Sequence, residues 1–198
     1  MPTVYESKPV EIVIQRSRFI GQAFYFPSEQ GLADHLEAMA MQFPKATHYT
    51  WAYRIDPGQK RASDAGEPQG TAGAPMLHVL EHAGWESTLV VVIRYFGGIK
   101  LGRGGLVHAY QETARLALQH VTPAKLVWAR PVTLELDYAE YARREPLLRT
   151  SLQDMTVTFG SRVTVNGWVS ADDPPENVRH ALDFKTVGDP MPRRFPIA

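Results

Sequence analysis

The 198-residue chain has no cysteine. That excludes disulfides, a thiolate nucleophile and any metal site built on cysteine sulfur. It also lacks an excess of either charge: 21 Lys and Arg stand against 21 Asp and Glu, and residues 1–125 and 126–198 each lie within one charge of neutrality. Proteins that wrap nucleic acid non-specifically carry a basic surplus, so any such contact here must come from a local patch. Long apolar runs are missing as well. The longest, Leu89 to Ile93, falls far short of the roughly 20 residues that span a bilayer. No membrane partner is expected. Residues 1–20 show no basic stretch followed by an apolar core, so no signal peptide is read, and a cytoplasmic location is the expectation. There is no Gly-x-Ser-x-Gly and no Walker phosphate loop, and nothing implies a cofactor.

What remains is ordinary globular material, 44% hydrophobic and 21% charged, long enough for one large domain or two small ones. Strands are expected at 4–5 and at 10–15, the latter from period-two alternation, and residues 17–20 lead into another at 23–26. Ser28 reads as the N-cap of a helix to residue 43, with Leu32, Leu36, Met39 and Phe43 on one face and Pro44 as the stop. The stretch 46–55 alternates: Thr47, Tyr49, Trp51, Tyr53 and Ile55 face one way, and His48, Thr50, Ala52 and Arg54 the other. The aromatic face reads as core, with stacking on bases as the alternative. A Gly/Pro-rich loop covers 56–74. A helix runs from Pro75 to the stop at Gly84, and a strand buried on both faces covers 88–96. A glycine loop, 97–105, leads into a helix over 106–120, with Val107, Tyr110, Ala114 and Leu118 as its apolar stripe.

Residues 123–131 read as a junction between domains. Beyond it come a strand at 132–138, a helix at 140–152 that Pro146 should cap late or kink, and a hairpin of 155–159 and 162–170. A helix at 174–182 and an edge strand at 184–187 follow. That βαββα(β) order is the ferredoxin-like split arrangement. The proline-rich end, 189–198, reads as a loosely ordered tail. The expectation is an α+β chain with domains at 1–127 and 128–190 and a tail at 191–198.

Two segments carry chemistry. The first runs from Arg94 to Leu106, with five glycines among residues 97–105. Gly97, Gly98, Gly102, Gly104 and Gly105 let backbone approach a ligand closely. The loop joins a strand to a helix start, where free N–H groups and the dipole favour an anion. Arg94, Lys100 and Arg103 supply positive charge. The plainer reading is tight strand–helix packing with solvated cations. The second segment runs from Ser63 to Gly73. Asp64 and Glu67 there suit acid–base work or a hard cation, with His48 as a third candidate. The plainer reading is that both carboxylates cap turns, and that His48 is a hydrogen-bonded buried histidine.

These two segments, in this order, resemble the signature of the IMPACT/YigZ family. The resemblance rests on Ser63-Asp64, Gly66-Glu67-Pro68, Gly70-Thr71-Ala72-Gly73, Arg94-Tyr95-Phe96-Gly97-Gly98 and Gly102-x-Gly104-Gly105-Leu106. The stretches Arg18-Phe19-Ile20 and Ala46-Thr47-His48 also look like family landmarks. The likeness covers most of residues 1–120, and the last third resembles the small second domain of bacterial members. The chain departs at Ala65, where a second aspartate is usual, at Gln69, where serine is common, and at Tyr49-Thr50, in place of asparagine-cysteine. The resemblance implies a first domain like the second domain of ribosomal protein S5, a ferredoxin-like second domain, and a role in translation. RNA or the ribosome is then the expected partner, with a protein of a translation-control pathway as another. The second function class is a small hydrolytic or metal-assisted enzyme using His48, Asp64 and Glu67. His78-Val79-Leu80-Glu81-His82 matches a zinc-peptidase spacing literally, but its helix is short, no third ligand is signalled, and no metal is expected. Oligomeric state is not written in the sequence.

Overall fold

The computed structural model describes residues 2–171, 185–186 and 189–196. It is a mixed α and β structure in two compact units, the first reaching Lys125 and the second spanning Leu126–Phe195. The first unit contains β1 (Thr3–Ser7), β2 (Val10–Ile14), β3 (Ser17–Tyr25), α1 (Leu32–Gln42), β4 (His48–Arg54), β5 (Lys60–Ser63), α2 (Gly73–His82), β6 (Thr88–Tyr95) and α3 (Gly102–Gln119).

Five of these strands form a sheet in the order β2-β3-β6-β4-β5, with every neighbour antiparallel. β6 is central, and its residues Leu89 to Ile93 are fully buried. Alternation divides them between two cores. Val90 and Val92 pack with Phe19, Ala52, Met76 and Leu80, and with Tyr110 and Ala114 of α3. Leu89, Val91 and Ile93 pack on the opposite face with Tyr53 and with Leu36 and Met39 of α1. A strand covered by helices on both sides cannot show polar alternation, hence the unbroken apolar run. Tyr49, Trp51 and Tyr53 belong to the α1-side core, with the Trp51 and Tyr53 rings stacked at 5.6 Å.

Several boundaries differ from the sequence reading. Ser28 caps only a single turn of 3-10 helix, Glu29–Gly31, accepting from the Gln30 N–H, and α1 begins at Leu32. The stretch 56–74 is not all loop. Asp56 Oδ1 accepts from the N–H groups of Gly58 and Gln59 and closes a turn, which returns β5 alongside β4. α3 starts at Gly102, so the second half of the glycine loop is already helical.

The second unit is built on β7 (Val121–Leu136), α4 (Tyr138–Ser151), β8 (Gln153–Phe159), β9 (Val163–Ser170), β10 (Lys185–Thr186) and β11 (Met191–Pro196). The boundary between the units, after Lys125, falls within 123–131, and that stretch is strand. β7 is one continuous strand: Val121 to Ala124 pair with β1 in the first unit, and Ala129 to Leu136 pair with β9. Pro123 is tolerated beside a register irregularity between Val4 and Glu6, the kind of place where a strand does not need every N–H. α4 starts with a reciprocal Asp137–Glu140 capping box and carries Pro146 inside rather than at an end. Leu134, Leu136, Tyr141, Leu148 and Val165 are central to this unit's core. β10, within the edge strand expected at 184–187, pairs with β7. The expected tail is instead strand β11, which also pairs with β7. Arg193 fastens it, donating to Asp154 at 2.6 Å with its guanidinium 4.1 Å from the Trp168 ring centre. The helix expected at 174–182 lies outside the described residues. Among the described residues no helix is long and apolar enough to cross a membrane.

Two glycines of the strand–helix loop have opposite surroundings. A Cβ on Gly97 would stand 2.1 Å from the Arg16 carbonyl carbon, whereas one on Gly104 meets nothing within 4 Å. Gly97→Ala is therefore expected to destabilise by about 3 kcal/mol or more through backbone displacement. Gly104→Ala, inside a helix, should stabilise by about 0.5–1 kcal/mol. Urea unfolding of the two variants checks both signs.

Candidate functional site

Arg94 sits next to the end of β6, on the face shared with Val90 and Val92. Register places it opposite His48 on β4 and Phe19 on β3. The 64–71 loop brings Glu67 against it. Arg94 Nη1 donates to Glu67 Oε1 at 2.7 Å, and the Tyr110 hydroxyl from α3 donates to the same oxygen at 2.8 Å. Glu67 is 7% exposed and Arg94 5%. Such charges are tolerable only as a pair, since each alone would be stranded in low dielectric. The phenol of Tyr110 is held well above its usual titration range, by burial first and then by the charge and hydrogen bond of Glu67. It therefore stays a donor.

Arg94 is further held by Ser17, to whose Oγ its Nη2 donates at 3.4 Å. Its guanidinium lies 5.5 Å from the Phe19 ring centre and 5.4 Å from that of Phe96. Its Nε is buried with no hydrogen-bond partner among the described residues. His48 Nδ1 lies 2.9 Å from the Ala65 carbonyl oxygen, and Nε2 is 3.8 Å from Glu67 Oε1, too far for a hydrogen bond.

Asp64 plays a different part. Its Oδ1 accepts from the N–H groups of Ala72 and Gly73, and its Oδ2 from Gly70. The carboxylate thereby closes the N-terminus of α2, which has no cap from its own Ala72 side chain. Burial opposes the charge, but those three N–H groups and nearby Arg103 hold the carboxyl below its ordinary value. The structure thus brings His48 and Glu67 side by side, with Asp64 engaged on backbone. Glu67 pairs with a side chain rather than capping a turn.

In the glycine loop, the Gly97 N–H donates to Ser17 Oγ at 3.2 Å. That glycine faces inward and is not offered to a ligand. Gly98 and Gly102 take positive φ, 84° and 72°. The first turn of α3, Gly102 to Gly105, has no capping side chain, which leaves N–H groups without a helical acceptor. Arg103 donates to the Gln69 carbonyl at 2.8 Å and ties the two loops together. Lys100 is exposed. Between the loops lies a cavity of about 400 Å³, lined by Glu67, Arg94, Phe96, Lys100, Arg103 and Leu106, with Pro68, Leu101 and Gly102. Gly98, Gly104 and Gly105 do not line it. Arg94, expected as a loop cation, is instead buried in its wall.

Residues 15–118 match the Impact N-terminal domain family, over more than half of the chain. The chain belongs to the IMPACT family. It is 44% identical over 184 residues to an IMPACT family member of Thermus thermophilus, covering 91% of this chain and 90% of that one. It is 36% identical over 146 residues to YigZ of Escherichia coli, 71% of this chain and 72% of that one. A solved crystal structure of a hypothetical protein, 28% identical, matches with a TM-score of 0.62 over 94% of this chain and 97% of that one. Every residue of the cavity and of the cluster beside it falls within the matched IMPACT domain.

In the sequence Tyr110 reads as part of an apolar stripe and Phe96 only as part of the motif, and nothing there marks Ser17 as a partner of Arg94. An aromatic with a polar tip on a buried helix face was the one available signal for Tyr110. The His78–His82 pair stacks with ring centres 6.0 Å apart and lines a separate cavity of about 350 Å³ with His108, Glu112 and Arg115. Among the described residues no group of three His, Asp or Glu is placed to hold a metal ion.

Arg94→Ala should destabilise the IMPACT domain by about 3–5 kcal/mol, because Glu67 is left charged and buried. The double variant Arg94→Met, Glu67→Leu should cost at least ~1 kcal/mol less than the sum of the single changes. Denaturant unfolding of the cycle measures this. Asp64 gives a pH test. Its folded pKa is depressed, so its contribution is present above the unfolded value of about 3.9 and is lost as pH falls through the folded value. Asp64→Asn should lower stability at neutral pH and flatten the acid limb, read as melting temperature against pH.

Proposed function

We propose that this IMPACT-family chain is a regulator acting in translation, and that it binds RNA or the ribosome surface through the start of α3. One observation carries the reading. Lys100 and Arg103 stand at a cavity beside a long helix whose N-terminus has no side-chain cap, and such a terminus favours an anion. The Glu67–Arg94 pair cancels its own charge, which leaves Lys100 and Arg103 as the cations at the mouth, Arg103 with the Asp64 carboxylate nearby. Chain-wide neutrality fits a local contact better than wrapping. The translation context comes from the family resemblance, as does a cytoplasmic location. An acid–base enzyme is less well supported, because the oxygens of Asp64 are taken by backbone and Glu67 Oε1 accepts from Arg94 and Tyr110. We read the second unit as ferredoxin-like on its antiparallel order β10-β7-β9-β8, and the first as related to the second domain of ribosomal protein S5.

Co-sedimentation with purified ribosomes tests the proposal. The wild-type chain should pellet at low salt and be released as salt rises. Lys100→Glu, Arg103→Glu should lose binding, or reduce the slope of log affinity against log salt by about 2, near one per phosphate contact. A folded double variant that still pellets like wild type would remove the site, and no pelleting at any salt would remove the partner.

A further inference from the structure

Cations alone do not describe the cavity at the start of α3. One wall is the Phe96 ring, 48% exposed, just past the end of β6, whose residues Thr88 to Arg94 are buried. Its position is fixed twice: the Phe96 N–H donates to Thr47 Oγ1 at 3.1 Å, and the Arg94 guanidinium lies 5.4 Å from the ring centre. Arg94 is itself anchored on Glu67, and its buried Nε finds no acceptor among the described residues. Leu101, Leu106 and Pro68 complete an apolar lining. A site for phosphate alone has no use for a half-exposed aromatic and an apolar wall. A site for a nucleotide uses both, since bases stack on aromatic faces while cations and helix N-termini take the phosphate. At about 400 Å³, the space lies at the small end of the roughly 300–1,000 Å³ range of ligand pockets. Duplex RNA keeps its bases stacked inside and offers none to such a pocket.

We infer that this cavity receives one unstacked nucleotide, with its base against Phe96 and its phosphate at Lys100, Arg103 and the first turn of α3. The inference rests on the RNA reading above and narrows it to single strands, loops or ends.

Fluorescence anisotropy with an oligouridylate of about eight nucleotides, within the usual site size for single strands, is set against a blunt RNA duplex of ~16 base pairs. Wild type should bind the single strand at least about tenfold tighter than the duplex. Phe96→Leu, which keeps apolar bulk but no π face, should weaken it by about tenfold, and Phe96→Trp should restore it. Thermal melts of the variants confirm that each is folded. Competition by free uridine monophosphate, lost in Phe96→Leu, would also support the pocket and show that it takes unlinked nucleotides. Equal binding of both RNAs, indifferent to Phe96→Leu but abolished by Lys100→Glu, Arg103→Glu, would overturn the nucleotide pocket and leave the RNA reading standing. Binding of neither RNA alongside salt-sensitive pelleting with ribosomes would overturn it too, and would place the contact on ribosomal protein.

Discussion

The buried pair of Glu67 and Arg94 is the constraint on which the rest of the first unit's site depends. Two charges removed from water stabilise a fold only when each is matched, and an apolar pair of equal volume is often better. What the ionic pair adds is direction. Arg94 belongs to the central strand, Glu67 to the loop before α2, and Tyr110, which donates to the same carboxylate oxygen, to α3. One carboxylate therefore fixes three segments far apart in sequence. The aromatic rings around Arg94 follow from the same anchor, because a guanidinium held by Glu67 gives Phe19 and Phe96 a stationary cation to pack on. Removing either charge strands the other and loosens both loops, so packing and site geometry are a single property here.

How much of this was readable in advance depended on whether a feature is local. The strand at 88–96 and the helix at 106–120 were visible because burial on two faces and a helical stripe leave periodic marks on adjacent residues. β5 was not visible, since Lys60-Arg61-Ala62-Ser63 carries no strong strand preference and is recruited by the Asp56 turn and the edge of β4. The early start of α3 was hidden by its glycines, which read as loop. The first part of β7 and all of β11 were missed for a related reason: Pro123, Pro131, Pro192 and Pro196 argue against strands on propensity, and pairing partners elsewhere override them. Within the site, Lys100 and Arg103 were legible as charges on a glycine loop. The partner of Glu67 was not, because an ion pair between residues 27 apart leaves no spacing to read.

The two helices over this sheet face also explain why two similar acidic residues have different tasks. α2 and α3 both start in glycine-rich sequence, and neither has a capping side chain at its own N-cap. At α2 the exposed N–H groups are met from within, by Asp64 reaching forward across the loop. At α3 no carboxylate among the described residues plays that part. Glu67 is drawn away to Arg94, and the nearest charged groups lining the cavity beyond that pair are the cations Lys100 and Arg103. An acidic residue at Gly98 or Gly102 could have closed α3 as Asp64 closes α2, but both positions take positive φ, where a side chain is strained. The glycines thus do two things with one backbone conformation: they turn the chain from strand to helix, and they keep the helix start free of an internal anion. Lys100 and Arg103 at the cavity, next to a half-exposed aromatic ring, are more useful for recognition than for stability. The stabilising work is left to Asp64 at the neighbouring helix.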